Sequence, residues 1–176
     1  MEPRPPKDEY YLNIAQVVSK RSTCLKVRIG AIVVKEDQII AAGYVGAPRN
    51  TKSSLEHGFC LRKDLKIPSG SQYELCRSVH AEQNAIINAA RAGVSLLGGD
   101  MYIYGEYRSS GQPLFAFPCF ICKKMIINAG LRRAIVSKSE TGTLQIFHID
   151  DWISEWKSQD IIADRTRYGQ KNEDAG

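Results

Sequence analysis

The 176-residue chain has no apolar run close to the ~20 residues a membrane-spanning helix needs, so a helical membrane protein is not expected. It has no internal repeat, no heptad pattern and no low-complexity stretch, which excludes collagen and coiled coil. A leader is not expected either, because the first nine residues, MEPRPPKDE, carry three prolines and no apolar core. Histidine is scarce, at positions 57, 80 and 148 only. Cysteine comes in an odd number, five, at positions 24, 60, 76, 119 and 122. Without a leader, a secreted disulfide scaffold is not expected. Thiols kept reduced in a cytoplasmic setting point instead to metal binding or catalysis.

What is present is ordinary for a globular domain, 43% hydrophobic and 24% charged residues. A chain of this length can bury a core without disulfide staples. Lysine and arginine exceed aspartate and glutamate by 24 − 19 = +5, and the sequence pI is near 9.0. The basic residues are dispersed, so this charge suits an anionic small molecule about as well as a nucleic-acid surface.

Tyr10, Ile14, Val17 and Val18 recur at helical spacing and predict an amphipathic helix from Asp8 to about Arg21. RIGAIVVK (Arg28 to Lys35) and QIIAAGY (Gln38 to Tyr44) flank Glu36-Asp37, a two-residue link suited to a hairpin. Residues 45–76 hold turn signals and no sustained period, a length of loop that needs a lid or a metal clip to explain it. Residues 79–92 predict a helix closed by Gly93, and Pro118 opens another that ends at Gly130. Short strands are expected at Asp100–Tyr104, Arg133–Ser137 and Thr143–Ile149. Ile149, Trp152, Ile153 and Trp156 mark a C-terminal helix. The alternation gives one α/β domain over residues 9–164. Flexible segments are expected at 1–8 and 165–176, a loop-rich insertion at 45–76, and a loop at the site's rim over 105–117.

Two short motifs carry the chemistry. His80-Ala81-Glu82 opens one helix and Pro118-Cys119-Phe120-Ile121-Cys122 opens the next. A Cys-x-x-Cys pair at a helix start sets two sulfurs one turn apart, where the helix dipole favours thiolates. With His80 they make three ligands and leave one tetrahedral position open, the catalytic arrangement for zinc. Zinc lowers the pKa of a bound water towards about 7. Glu82 is too near His80 in sequence to serve comfortably as a fourth ligand, but is well placed to move that water's proton. Alone, a Cys-x-x-Cys also suits a redox pair, a structural half-site or two buried thiols, and His-x-Glu alone says little. Together they spell the H-x-E…P-C-x-x-C signature of the zinc deaminases.

HAEQNAI (His80 to Ile86) and PCFICKKMIINAG (Pro118 to Gly130) resemble the deoxycytidylate branch of the cytidine deaminase superfamily. RSTC (Arg21 to Cys24), GAIVV (Gly30 to Val34) and GYVGAPR (Gly43 to Arg49) extend the likeness over about residues 9–137. The resemblance implies a three-layer α/β/α fold with a mixed five-stranded sheet. It implies hydrolytic deamination at C4 of cytosine, with zinc as cofactor and Glu82 as proton shuttle. It also implies a pyrimidine edge held by backbone around Ala81, a base pocket lined by Ala31 and Ile32, and a phosphate near a subunit interface met by Arg91. Taken from the residues alone, Arg91 sits in a helix's last turn, where a cation is favoured anyway. Relatives in the family are usually homo-oligomers, and some respond to deoxynucleoside triphosphates. Some hold a second, non-catalytic zinc through the cysteine matching Cys24, which here implies a structural site of Cys24, His57, Cys60 and Cys76. His148 is expected to be an ordinary, partly exposed residue.

Two departures fall at the substrate pocket. The family's Gly-Tyr-Asn-Gly element is GYVG here, ending in Val45 and Gly46, and valine lacks the polar group that meets the sugar or base. GEYRSSGQPLFAF (Gly105 to Phe117) is inserted at the rim. Tyr107 and Phe115 there can stack on a base and Arg108 can meet phosphate, or the stretch is a surface loop with a hydrophobic anchor. The expected function is deamination of dCMP to dUMP. The alternatives are another cytosine nucleoside or cytosine within nucleic acid, and an inactive zinc-stabilised binding or oligomer-forming module. A nucleic-acid partner is not favoured, since only residues 107–117 offer an aromatic platform.

Overall fold

A computed structural model describes residues 3–138 and 144–158. The sheet starts from a hairpin whose turn is set by backbone sign. Strands β1 (Val27–Lys35) and β2 (Gln38–Tyr44) are joined by Glu36 and Asp37, with φ of 50° and 61°. That left-handed pair makes the tight turn whose twist suits antiparallel strands. β3 (Asp100–Tyr107) pairs antiparallel with β1, from Val27 opposite Tyr107 to Val34 opposite Asp100. β4 (Arg133–Ser137) runs parallel to β3, and β5 (Leu144–His148) lies antiparallel to β4. The order β2-β1-β3-β4-β5 is the mixed five-stranded sheet the resemblance implied. Thr143, the expected start of the last strand, and the tail from 165 lie outside the described residues.

Because successive strand side chains face opposite ways, the sheet sorts its core into two layers. Ile32, Val34, Tyr102, Tyr104 and Ile135 face one side, under helix α1 (Lys7–Ser19). Ala31, Val33, Met101, Ile103, Ala134 and Val136 face the other. There they meet α4 (Ala81–Ala92), α5 (Phe120–Asn128) and α6 (Ile149–Ser158). Short helices α2 (Ser54–His57) and α3 (Leu61–Asp64), with a 3-10 turn at Tyr73–Leu75, interrupt the segment between β2 and α4.

Two expectations change in detail. The buried face of α1 is Tyr11, Leu12, Ala15 and Ser19, while Tyr10 and Val17 are 50% and 70% exposed. The helix is pressed so closely on β1 that a Cβ on Gly30 would stand 2.3 Å from the Ala15 carbonyl oxygen. Ala15 allows that approach, and of the expected stripe Ile14 and Val18 pack against the core while Tyr10 and Val17 do not. The expected end of β3 at Tyr104 is also too early. β3 continues to Tyr107 because β1 pairs with it that far, Val27 opposite Tyr107, and residues 112–114 lie along its other edge, with Tyr107 N donating to Gln112 O (2.9 Å) and Leu114 N to Gly105 O (2.9 Å). Part of the expected rim loop is thus strand.

The same close approach fixes the helix that carries the first motif. A Cβ on Gly43 of β2 would lie 2.3 Å from the Ala85 nitrogen, so α4 rests directly on the strand backbone. Asn84 and Asn88, one turn apart, donate to the carbonyls of Tyr44 (2.8 Å) and Ala42 (2.7 Å) and set its register.

Candidate active site

His80 is the N-cap of α4 and Cys119 the N-cap of α5, so both motifs stand where their helices begin. A two-bond bridge between Gly46 and Val79 (3.1 and 2.8 Å) aims the chain into α4, and the Gln83 side chain accepts the His80 N–H at 3.0 Å. The His80 Nδ1 lies 3.4 Å from the Sγ of Cys119 and 3.4 Å from that of Cys122. Zn–S of about 2.3 Å and Zn–N of about 2.0–2.1 Å at tetrahedral angles place N and S about 3.6 Å apart, so this donor set fits zinc without rearrangement.

Protonation in the cluster is already shared out. The Cys122 thiol and His80 stabilise a Cys119 thiolate against its burial, and bring that thiol down to about 4. Cys122 is pushed up by its bond to Cys119 and by burial. His80 would be lowered by burial, but its bond to Cys119 and the nearby Glu82 charge raise it. Glu82, 5% exposed, lies against the Cys122 thiol, and burial raises it despite the pull of His80. Two thiols, an imidazole and a carboxyl thus form one proton-sharing group.

His80, Glu82 and Cys119 line a cavity of about 1300 Å³, with Cys122 buried behind them. Of the expected substrate contacts, Val45, Ala81 and Tyr107 line it, and so does Phe115. Phe115 stacks on Phe117 (5.7 Å between centroids), which packs edge-on against Phe147 and Trp152 behind it. The other expected contacts fall elsewhere. Ala31 is on the cavity's side of the sheet but fully buried, with Ile29 and Ile103 lining the cavity. Ile32 faces the opposite layer, under α1, because a one-residue step along a strand reverses the side chain. Gly46 serves through its backbone bridge rather than as cavity wall. Arg91 is exposed at the far end of α4, about 16 Å along the axis from His80 at 1.5 Å per residue. Arg108 is turned to the backbone carbonyls of Cys24 (2.7 Å) and Ser22, which ties the start of β1 to the rim. His148 is exposed at the end of β5.

The expected second set of ligands does not assemble. Among the described residues, His80, Cys119 and Cys122 are the one group of three or more such side chains whose ligating atoms lie within 4.8 Å of one another. Cys24, Cys60 and Cys76 all line the cavity, but each serves its own local structure. The Cys24 sulfur accepts from Lys26 N (3.4 Å), the Cys60 backbone stands at the N-cap of α3 with no cap bond from its side chain, and Cys76 N bonds to Tyr73 O (2.9 Å). His57 lies off the cavity with its ring against Phe59, 5.5 Å away.

Residues that motif reasoning missed come mostly from the same segment, with Lys26 from just before β1. Lys26, Arg62, Lys63 and Lys66 line the cavity against one acid there from that segment, Asp64. Tyr73 sets its ring edge-on to His80, 4.8 Å between centroids. The density of basic residues between 62 and 66 was the available signal, masked by the even spread of charge along the chain.

A family model described as "Cytidine and deoxycytidylate deaminase zinc-binding region" matches residues 5–138. The deoxycytidylate deaminase of Schizosaccharomyces pombe is 31% identical over 136 residues, covering 77% of this chain and 38% of that protein. That of Mycobacterium phage D29 is 32% identical over 140 residues, covering 77% of this chain and 97% of that protein. The chain thus spans less than half the length of the yeast relative and nearly all of the phage one. The crystal structure of the dCMP deaminase from cyanophage S-TIM5 in complex with dCMP and dUMP superposes with a TM-score of 0.58 at 27% identity. That match covers 78% of this chain and 85% of that one.

Proposed function

Since the chain belongs to the cytidine and deoxycytidylate deaminase family, we propose that it is a zinc-dependent hydrolase converting dCMP to dUMP with release of ammonia. One observation carries the reading. A buried carboxyl, Glu82, faces the same cavity as a His-Cys-Cys donor set of zinc dimensions. Bound there, zinc supplies Lewis acidity and an open fourth position. A C4–O bond forms from the attacking water, and Glu82 moves that water's first proton to the ring nitrogen and its second, from the new C4 hydroxyl, to the amine, so that the C4–N bond breaks, ammonia leaves and a C4 carbonyl remains. The apolar side chains of Ile29, Val45, Ile103 and Leu114 suit the faces of a planar pyrimidine. Lys26, Arg62, Lys63 and Lys66 favour a phosphate-bearing substrate over a free nucleoside.

Val45, 5% exposed and without a polar group, supports a second reading in which the substrate is a differently substituted cytosine nucleoside. Ammonia release across dCMP, CMP, deoxycytidine, cytidine, dCTP and a cytosine oligonucleotide separates the two, with Glu82→Gln as control. Turnover of dCMP that collapses in the variant is expected. Turnover of another cytosine compound alone would retain the chemistry and replace the substrate, and a zinc-loaded chain inert towards all six would make it a binding module. The single assembled donor set supports one zinc per chain, and a measured two would restore the site of Cys24, His57, Cys60 and Cys76.

Homo-oligomerisation and a deoxynucleoside triphosphate effector belong to the same reading. The exposed Ile87 on α4 and Ile121 on α5, each 42%, support self-association. Sizing with and without dCTP tests both. No helix among the described residues is long and apolar enough to cross a membrane. Five free thiols support a cytoplasmic setting.

A further inference from the structure

The His80 ring is held on one side by the sulfurs at its Nδ1, and among the described residues no hydrogen bond reaches its other nitrogen. A metal-binding histidine ordinarily has that second nitrogen fixed by a carboxylate, carbonyl or water, which sets the ring's tilt. Here an aromatic ring occupies the flank. Tyr73 meets His80 at 88° with 4.8 Å between centroids, a close edge-to-face contact. Tyr73 is itself braced. The Arg62 guanidinium carbon lies 4.8 Å from the centre of the Tyr73 ring, and its Nη2 donates to the carbonyls of Pro68 (2.7 Å) and Ser71 (2.6 Å). The loop backbone that precedes Tyr73 therefore holds the guanidinium, and the guanidinium holds the ring. Three consecutive contacts run from loop carbonyls through Arg62 and Tyr73 to the metal ligand.

We infer that Tyr73, braced by Arg62, is a positioning residue that sets the orientation of His80 for metal binding. This gives the segment between β2 and α4 a role in the metal site without supplying a ligand. The inference rests on the zinc reading above, and its test reads the metal rather than turnover. Protein loaded with one zinc is challenged with an excess of a chromogenic chelator, and the release rate is followed. The cobalt-substituted protein is compared by visible absorption.

Tyr73→Phe keeps the ring and should release zinc within about twofold of the parent. Tyr73→Leu should release it about tenfold faster or more, the scale on which outer partners of metal-binding histidines act, with a shifted cobalt spectrum. Arg62→Ala, at a partly exposed position, should move both readouts the same way by about threefold. It keeps the test alive if Tyr73→Leu does not fold. Unchanged release and spectrum in Arg62→Ala together with Tyr73→Leu, or with Arg62→Ala alone if the leucine variant is unfolded, overturn the inference. Equal loss in Tyr73→Phe also overturns it, because the hydroxyl and not the ring would then be responsible. A parent chain that takes up no zinc overturns the deaminase reading instead, so the two failures are distinguishable.

Discussion

The cavity has two walls built in opposite ways. One, formed by β1, β3 and the first turns of α4 and α5, stands on side chains wholly withdrawn from water, among them Ala81, Ile103, Cys122 and Ile126. The other, residues 53–76, leaves Leu55, Phe59, Leu61, Leu65 and Leu75 each at least 40% exposed and is held by caps, turns and the Arg62 clamp. Local stability follows buried apolar contact, so the second wall can open without the first unfolding. Chemistry that depends on 3.4 Å spacings sits on the buried wall, and most of the cavity's cations sit on the exposed one. The contrast predicts that substitutions on the core wall remove catalysis or the fold, while those on the other wall change affinity and local opening.

The largest effect is expected at Glu82. Glu82→Gln should lower kcat by about 10² to 10⁴, the range for a lost proton shuttle, with zinc content and Tm unchanged. A small decrease would mean that proton transfer is carried elsewhere. The next pits two glycines against each other. Gly43→Val should lift α4 off β2 and cost about 3 kcal/mol or more, since a Cβ there meets the Ala85 nitrogen at 2.3 Å. Gly58→Ala, with nothing within 4 Å of the added Cβ and only a φ of 74° to penalise it, should cost about 1 kcal/mol. Equal Tm losses in the two variants would erase the distinction between the walls.

Smaller effects probe the exposed wall as a substrate holder. Lys63→Ala with Lys66→Ala should raise KM for dCMP about 3- to 10-fold with kcat unchanged and leave any deoxycytidine turnover untouched, as loss of long-range phosphate attraction would. A fall in kcat instead would place these lysines in the chemistry.

Acid should weaken both walls in one window. Burial pushes Asp100 up, but bonds from Arg132 (3.1 and 2.7 Å) and Arg133 (2.7 Å) outweigh it and hold the carboxyl below its ordinary value. The exposed Glu56 is lowered by the N–H and hydroxyl of Ser53. A carboxyl lowered in the fold adds stability above its unfolded pKa, about 4. That stability drains away as pH falls through this value towards the folded one. Asp100→Asn should therefore lower Tm at pH 7 by a few degrees and lose less than the parent between pH 5 and 3. Parallel Tm–pH curves would remove the ion pairs from the account.

The core wall was legible because each of its parts is written locally. A two-residue turn fixed the hairpin, terminal glycines closed two helices, and His80, Glu82, Cys119 and Cys122 sit in contiguous motifs at helix starts. What sequence could not supply is set by three-dimensional approach. The face of α1 depends on how closely Ala15 comes to Gly30, and the last three residues of β3 are strand because Val27, Arg28 and Ile29 of β1, far away in sequence, pair with them. Ile32 went to the wrong side of the sheet because likeness to a motif does not carry strand parity, although counting from Val33 would have corrected it. In residues 53–76, with no period to read, a histidine and two cysteines invited a metal site together with Cys24, yet the ligating atoms do not come together. Arg62 and Tyr73 carry no motif at all.

The smallest prediction tests whether the exposed wall opens as a unit. Ser53 and Glu56 form a reciprocal cap on α2, with Ser53 N donating to the Glu56 carboxylate at 2.7 Å and Glu56 N donating to the Ser53 hydroxyl at 3.3 Å. Ser53→Ala removes the second bond and should cost about 1 kcal/mol of local stability. If residues 53–76 open on their own, amide exchange there should speed up about fivefold, the factor that such a loss corresponds to. Exchange in β1 and β3 and the global Tm should stay where they are, because the opening that limits them is the whole fold. A Tm that falls in step with the local exchange would mean that the two walls unfold together, and that the exposed leucines belong to a contact too cooperative for burial alone to reveal.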